Sequence, residues 1–150
     1  MKVVAKAIVF FLISVIIFSC ESDDDRREER CRNFLNKRVS TSLNLNLPSY
    51  ADLQSPGNDL FIEDNIRFIQ GVYIAFSGID YRVFELAEPN NPIGTCSSPP
   101  KLVGTDLVYM CGEKEVKYEI LNGTKRGEEN ACPLLRYRAE RSGNLLIISN

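Results

Sequence analysis

The sequence contains no histidine and no tryptophan. Without an imidazole, Ser-His and Cys-His nucleophile pairs and every His-ligated metal site are excluded. Positive charge is in no excess either. Eighteen Lys and Arg stand against 20 Asp and Glu, a net charge of −2, so no basic face offsets nucleic-acid phosphates. Cys-x-x-Cys does not occur, which removes redox-thiol and zinc-knuckle motifs. Gly-rich phosphate loops and nucleophile elbows are missing as well. What remains is a chain of 150 residues, 44% hydrophobic and 25% charged. That balance describes one globular domain and excludes a disordered, collagenous or coiled-coil chain. The expectation is a protein that is not an enzyme and uses no cofactor.

Residues 1–19 read as a targeting segment. Lys2 and Lys6 precede an apolar run, Ala7 to Phe18, broken only by Ser14. That run falls short of the roughly 20 apolar residues a spanning helix needs and suits the core of an export signal. It closes on Ile17-Phe18-Ser19-Cys20, which resembles a bacterial lipobox. The resemblance implies cleavage before Cys20 and acylation of its sulfur and new amino group. Each buried methylene contributes roughly 0.8 kcal/mol, so two or more chains anchor stably. A plain secretory signal with an incidental Cys20 is the alternative. Residues 20–32 then form the lipid anchor and a tether, because residues 21–32, ESDDDRREERCR, include no aliphatic or aromatic side chain to pack. The acidic run Glu21, Asp23, Asp24 and Asp25 resembles the surface-export signal of Bacteroidota lipoproteins. An outer-membrane lipoprotein exposed at the cell surface is expected, a periplasm-facing one being the alternative.

Four cysteines follow the anchor: Cys31, Cys96, Cys111 and Cys132. An even number in an exported chain reads as two disulfides, with three pairings open. Cys96 and Cys111 flank a Gly104-Thr105-Asp106 turn, so a local bridge is easy and leaves Cys31 to Cys132. Loops of about 15 and about 100 residues would contribute about 3 kcal/mol and somewhat more. Cys111 with Cys132 is the competing pair.

From residue 38 the dominant period is two. Val39, Leu43, Leu45 and Leu47 alternate with polar residues, giving one buried and one wet strand face. Further runs follow at Leu60–Ile62, Arg67–Phe76, Tyr81–Ala87, Leu107–Cys111, Val116–Ile120, Leu134–Glu140 and Leu145–Ile148, separated by turn residues. This spacing predicts an antiparallel sandwich or barrel, with Ser49–Leu53 as the one helical turn. Residues 88–100, EPNNPIGTCSSPP, hold four prolines and cannot be a central strand. A long ordered loop is where a site would sit. Phe61, Phe68, Tyr73, Phe76, Tyr81, Phe84 and Tyr109 lie mostly within strand runs and are expected in the core.

The order of parts is similar to a Rieske domain, a small antiparallel β fold with two cluster-binding loops. Cys111-Gly112-Glu113-Lys114-Glu115-Val116-Lys117-Tyr118 has the cysteine-to-aromatic spacing of the second loop, Cys-Pro-x-His-Gly-x-x-(Phe/Tyr), with Leu121-Asn122-Gly123 after it. Phe84-Glu85-Leu86-Ala87-Glu88-Pro89-Asn90 takes the place of the first, Cys-x-His. The opening Leu43–Pro48 and the closing Leu135–Arg138 and Leu145–Ile148 look like small Rieske-like lipoproteins of flavobacteria. The resemblance spans residues 33–150 and implies an all-β sandwich or barrel of Rieske type with about seven to nine short strands.

The same alignment removes the cofactor. A Rieske centre needs two thiolates on one iron and two imidazoles on the other. Here the four positions read Glu88, Asn90, Cys111 and Lys114, and an ammonium repels iron. With the metal gone, Cys111 is an oxidisable thiol, and its bridge to Cys96 would staple the two loops covalently. Glu88 and Glu113 would face each other across the loops and could hold a hard cation or share a proton, though Lys114 beside them favours a solvated ion pair. Lys125, Arg126, Arg136, Arg138 and Arg141 are offset by Glu128, Glu129 and Glu140, a wet outer face that could at most suit an anionic glycan. The expected role is a non-catalytic envelope or surface accessory, held to the membrane through Cys20, that binds an envelope protein or glycan and no nucleic acid. The alternative is a [2Fe–2S] electron-transfer protein.

Overall fold

The computed structural model describes Cys31 and residues 37–150. The signal segment, the lipid anchor Cys20 and most of the tether lie outside the described residues. Cys31–Asn150 form one unit. Among the described residues, nine strands carry it: β1 (Ser40–Asn44), β2 (Asp59–Glu63), β3 (Gly71–Phe76), β4 (Tyr81–Glu85), β5 (Lys101–Val103), β6 (Asp106–Cys111), β7 (Lys114–Glu119), β8 (Arg136–Ser142) and β9 (Leu145–Ser149). A 3-10 helix, Pro48–Gln54, joins β1 to β2. Strand order is β1-β9-β8-β4-β3-β2 in one sheet and β5-β6-β7 in the other, and every pairing is antiparallel. The all-β antiparallel class expected from the turn spacing is the class observed. Among the described residues, no helix is long and apolar enough to cross a membrane.

Two cores explain the sequence pattern. Val39 and Leu43 from the β1 end of the large sheet meet Val72, Ile74 and Phe76 of β3, with Val83, Tyr137, Leu146, Ile148 and the helix residue Leu53 between them. Strands from opposite ends of the order share one cluster, so the sheet curls around it. The second cluster lies on the other face of β3 and β4, where Tyr73, Phe84 and Leu86 pack against Leu107, Tyr109 and Tyr118 of the small sheet. β3 and β4 are therefore covered on both sides. That is why Gly71-Val72-Tyr73-Ile74-Ala75-Phe76 is continuously apolar and buried on both faces while β1 is mostly polar; β9 is apolar in sequence, yet only Leu146 and Ile148 are buried and Leu145 and Ile147 stay exposed. All the aromatics expected in the core pack into these clusters, Phe61 as a half-buried member. Burying each large side chain contributes roughly 1.5–3 kcal/mol.

Several expected boundaries move, and one strand is added. The run predicted from Arg67 pairs only from Gly71. Asp64 folds the preceding residues into a turn: its Oδ1 accepts from the backbone N–H of Ile66 at 3.0 Å and Arg67 at 2.9 Å, and its Oδ2 from Arg67 Nε at 2.6 Å. β1 ends at Asn44, because Asn44 Oδ1 accepts from the N–H of Asn46 and starts a turn ahead of Pro48. β5 is an addition: Lys101–Val103 is too short to show a period, and its pairing with β6 makes it a strand. Gly71 is required where β2 and β3 meet. Its φ is +149°, and a Cβ there would stand 2.2 Å from the Ile62 carbonyl oxygen.

Candidate functional site

The first two predicted cluster positions, Glu88 and Asn90, sit in the loop that leaves β4, and the third, Cys111, closes β6. The structure brings these three together and leaves the fourth out. Lys114 opens β7 opposite Cys111 across a two-residue turn and is exposed. Cys111 is bonded to Cys96 and Cys31 to Cys132, with S–S distances of 1.98 and 2.06 Å. The competing Cys111–Cys132 bridge is not formed. Cys96 also pairs with Cys111 as a single β-bridge, and the Ser97 N–H donates to the Met110 carbonyl at 2.8 Å. The proline-rich loop is thus sewn to the edge of the small sheet by one covalent bond and adjacent hydrogen bonds.

Glu88 is the centre of the arrangement and is only 4% exposed. The Tyr118 hydroxyl donates to its Oε1 in a short hydrogen bond. The Asn90 N–H donates to Oε2 at 3.0 Å and Asn91 Nδ2 to the same oxygen at 2.7 Å. Asn90 is itself fully engaged: Nδ2 donates to Tyr118 Oη at 2.8 Å and to the Cys132 carbonyl at 2.9 Å, while Oδ1 accepts from the Cys132 N–H at 2.8 Å. Asn91 Nδ2 also lies 3.9 Å from Cys111 Sγ. Burial, then the bond to Glu88, push the Tyr118 phenol far above its ordinary value, with Asn90 opposing. A carboxylate taken from water needs such donors, and this one has them from every side.

Beside this network Tyr109 is wholly buried, its hydroxyl without a hydrogen-bond partner among the described residues. Its ring meets that of Tyr118 edge-on at 5.7 Å. Burial and then the charge of Glu88 and of Glu85 drive its phenol strongly upward. Together, Glu88, Cys96 and Cys111 place a carboxylate oxygen and two sulfur atoms within 4.8 Å of one another.

The expected face-to-face pair of Glu88 and Glu113 does not form part of this cluster. Glu113 stands exposed on the β6–β7 turn while Glu88 is buried, since Gly112 at φ +63° turns the chain outward between Cys111 and Lys114. Part of the basic cluster is offset by the expected acids, Lys125 pairing with Glu128 at 2.7 Å and Arg138 with Glu140 at 2.9 Å, while Arg126 pairs instead with Asp106 at 3.0 Å and Glu119 at 3.4 Å. Sequence reasoning missed two members of the network. Asn91 carried no signal. Tyr118 entered only as an aromatic at the right spacing. It also passed over Glu85, which is wholly buried and accepts from the N–H groups of Ile69 (3.0 Å), Gln70 (2.8 Å), Gly71 (3.1 Å) and Ala87 (3.3 Å) and from Tyr137 Oη (2.6 Å). A carboxylate between Phe84 and Leu86 in an apolar strand was the available signal.

The donor chemistry does not fit a Rieske [2Fe–2S] centre. Two imidazoles are required and the sequence has none, and the one cysteine retained at a ligand position is consumed in a disulfide. No family model matches the chain, and no curated protein matches it. Among solved structures it is similar to a protein provisionally named nitrite reductase NADPH (small subunit) oxidoreductase. The two share 12% identity over 72% of this chain and 97% of that one, with a TM-score of 0.40. A likeness of this size carries nothing about cofactor or activity.

Proposed function

We propose that this chain is a lipid-anchored envelope protein of Rieske-like type that acts outside the cytoplasm by contact, as a binding or structural accessory, and neither transfers electrons nor catalyses a reaction. The observation that carries the reading is the filling of the cluster position. Cys111 is spent on Cys96, and Glu88 and Asn90 satisfy each other, Tyr118 and the Cys132 backbone. A place that would hold a redox centre is closed by covalent and hydrogen bonds, which suits a rigid scaffold. The lipobox-like Ile17-Phe18-Ser19-Cys20 and the acidic run after it support membrane attachment and exposure at the cell surface. Exposed side chains of β8, Arg136 and Arg138 among them, are the kind of polar surface an envelope protein or glycan could meet.

Intact-mass measurement on detergent-extracted protein, with and without reductant, tests the reading, together with iron analysis and a visible spectrum. The expected mass is that of a chain starting at an acylated Cys20 with two disulfides that open on reduction, free of iron. An unacylated chain would end the anchoring part. Stoichiometric iron with the spectrum of a binuclear centre would replace the contact role by electron transfer.

A further inference from the structure

We infer that opening the Cys96–Cys111 disulfide converts this corner into a mononuclear site for a thiophilic divalent cation, Zn²⁺ being the natural occupant, with Cys96, Cys111 and Glu88 as its protein ligands. The inference goes beyond the proposed contact role, since it concerns the reduced chain and a single cation in place of an iron–sulfur pair.

The geometry comes first. One oxygen of Glu88 and the two sulfurs already lie within 4.8 Å of one another. Two thiolates and a carboxylate with one open position are a recognised donor set for zinc, whose d¹⁰ shell imposes no geometry of its own. The ligands come from two elements held in register, the loop after β4 and the end of β6, so little ordering is left for the cation to impose. Glu88 is buried while Cys96 and Cys111 are half-exposed, so the site has an entry on the sulfur side and a dry floor on the carboxylate side.

The surroundings are those of a metal site. Ligating carboxylates are oriented by outer hydrogen bonds, and Glu88 has four such donors in Tyr118 Oη, the Asn90 N–H and Nδ2, and Asn91 Nδ2. The Asn91 amide that holds Glu88 also lies 3.9 Å from Cys111 Sγ, where it can donate to a thiolate. Independently, Tyr109 rises from the same face of β6 as Cys111, two residues away, wholly buried and with its hydroxyl unpartnered among the described residues. Buried polar groups are nearly always paired, and this donor, on a ring that meets the Tyr118 ring edge-on, fits a site completed by one more acceptor, such as a cation-bound water.

The chemistry balances with a dithiol as reductant. It attacks one sulfur of the bridge, passes two electrons and two protons to Cys96 and Cys111, and leaves as its own cyclic disulfide. Binding of the cation then displaces the two thiol protons to solvent. Oxidation of the thiolates would expel the cation, so occupancy follows the thiol poise around the protein.

The test uses the full chain. It is reduced with a dithiol, freed of reductant without air and titrated with Co²⁺, then with Zn²⁺. The expected result is one Co²⁺ per chain with a thiolate-to-cobalt charge-transfer band, displaced by Zn²⁺, and neither band nor binding in the oxidised chain. Glu88→Gln should weaken Co²⁺ binding by about tenfold or more and keep the band. The double variant Cys96→Ser/Cys111→Ser should lose both. Zn²⁺ should also raise the Tm of the reduced chain and leave the oxidised chain unchanged. No uptake by the reduced chain, equal uptake by the oxidised chain, or a band that survives in the double variant would each overturn the assignment, the last by pointing to Cys31 and Cys132. Iron in the oxidised protein as isolated is a separate readout and bears only on the contact role.

Discussion

Glu85 and Glu88 come from one short stretch of apolar chain, both are buried, and they are held by opposite means. Glu85 faces the curled six-stranded sheet and takes most of its hydrogen bonds from backbone, the N–H groups of Ile69, Gln70, Gly71 and Ala87, with Tyr137 as its one side-chain donor. Glu88 faces the end of the small sheet and takes one backbone bond, from Asn90, the rest coming from Tyr118, Asn90 and Asn91 side chains. Backbone donors cannot turn away when their acceptor is lost; side chains can rotate to other partners. The first carboxylate therefore locks a loop to a strand and belongs to the fold. The second is held mainly by side chains at the stapled corner, so its loss unlocks less of the fold.

The sharpest way to break this contrast is Glu85→Leu. It strands several buried N–H donors at once, and the expected loss is about 3–5 kcal/mol in urea unfolding. A loss under about 1 kcal/mol would mean the 64–71 loop finds other acceptors and the two carboxylates do not differ. Next in size is Cys96→Ala/Cys111→Ala, for which closing a loop of 15 residues in sequence separation predicts a loss of about 3 kcal/mol. Hydrogen exchange should rise in the loop after Glu88 and stay unchanged at Ile69–Gly71. Protection lost equally at both places would show the two regions to be one cooperative unit.

Alkaline titration should touch both carboxylates through their tyrosines. Tyr118 and Tyr137 are pushed well above the ordinary 10, first by burial and then by their bonds to Glu88 and Glu85. Burial, above all, lifts Tyr73 to about 12. Above pH 10 the unfolded chain gives up phenolic protons that the folded chain retains, so the unfolded state gains as pH rises. Stability should be flat with respect to these groups below pH 10 and fall above it by about 1.4 kcal/mol per pH unit for each retained phenol. Tyr118→Phe and Tyr137→Phe should each flatten that slope by one group, and an unchanged slope would remove the phenols as its cause. The smallest effect belongs to Glu88→Gln, about 1 kcal/mol, because Asn90 and Asn91 can reorient around an amide. A cost matching that of Glu85→Leu would make Glu88 a structural lock as well.

Much of the architecture was legible because it follows from local rules. The alternation of Val39 and Leu43 with polar neighbours, the apolar run at β3 and the turn residues between runs each name a strand, its burial or its end. Lys101–Val103 was not legible, since three residues show no period and only the partner strand β6 makes them a strand. Arg67–Gln70 misled for a related reason: their composition suits a strand, and it is the side chain of Asp64 and the distant carboxylate of Glu85 that bend them into a loop. At the site, Glu88, Asn90 and Cys111 could be singled out only through the resemblance to Rieske cluster loops. Asn91 and the orphaned hydroxyl of Tyr109 could not, because their roles rest on contacts between segments far apart in the chain.

The sequence by itself determined what this protein cannot use: with no histidine, it has no imidazole chemistry and no ligands for the second iron of a Rieske cluster. It also determined the strand period, since side-chain alternation is a property of one segment. Only the tertiary structure decided that Cys96 meets Cys111, that Lys114 turns out to solvent, and that Glu88 is buried among hydrogen-bond donors. Those facts depend on how two sheets pack across β3 and β4, and packing is settled by all the segments at once.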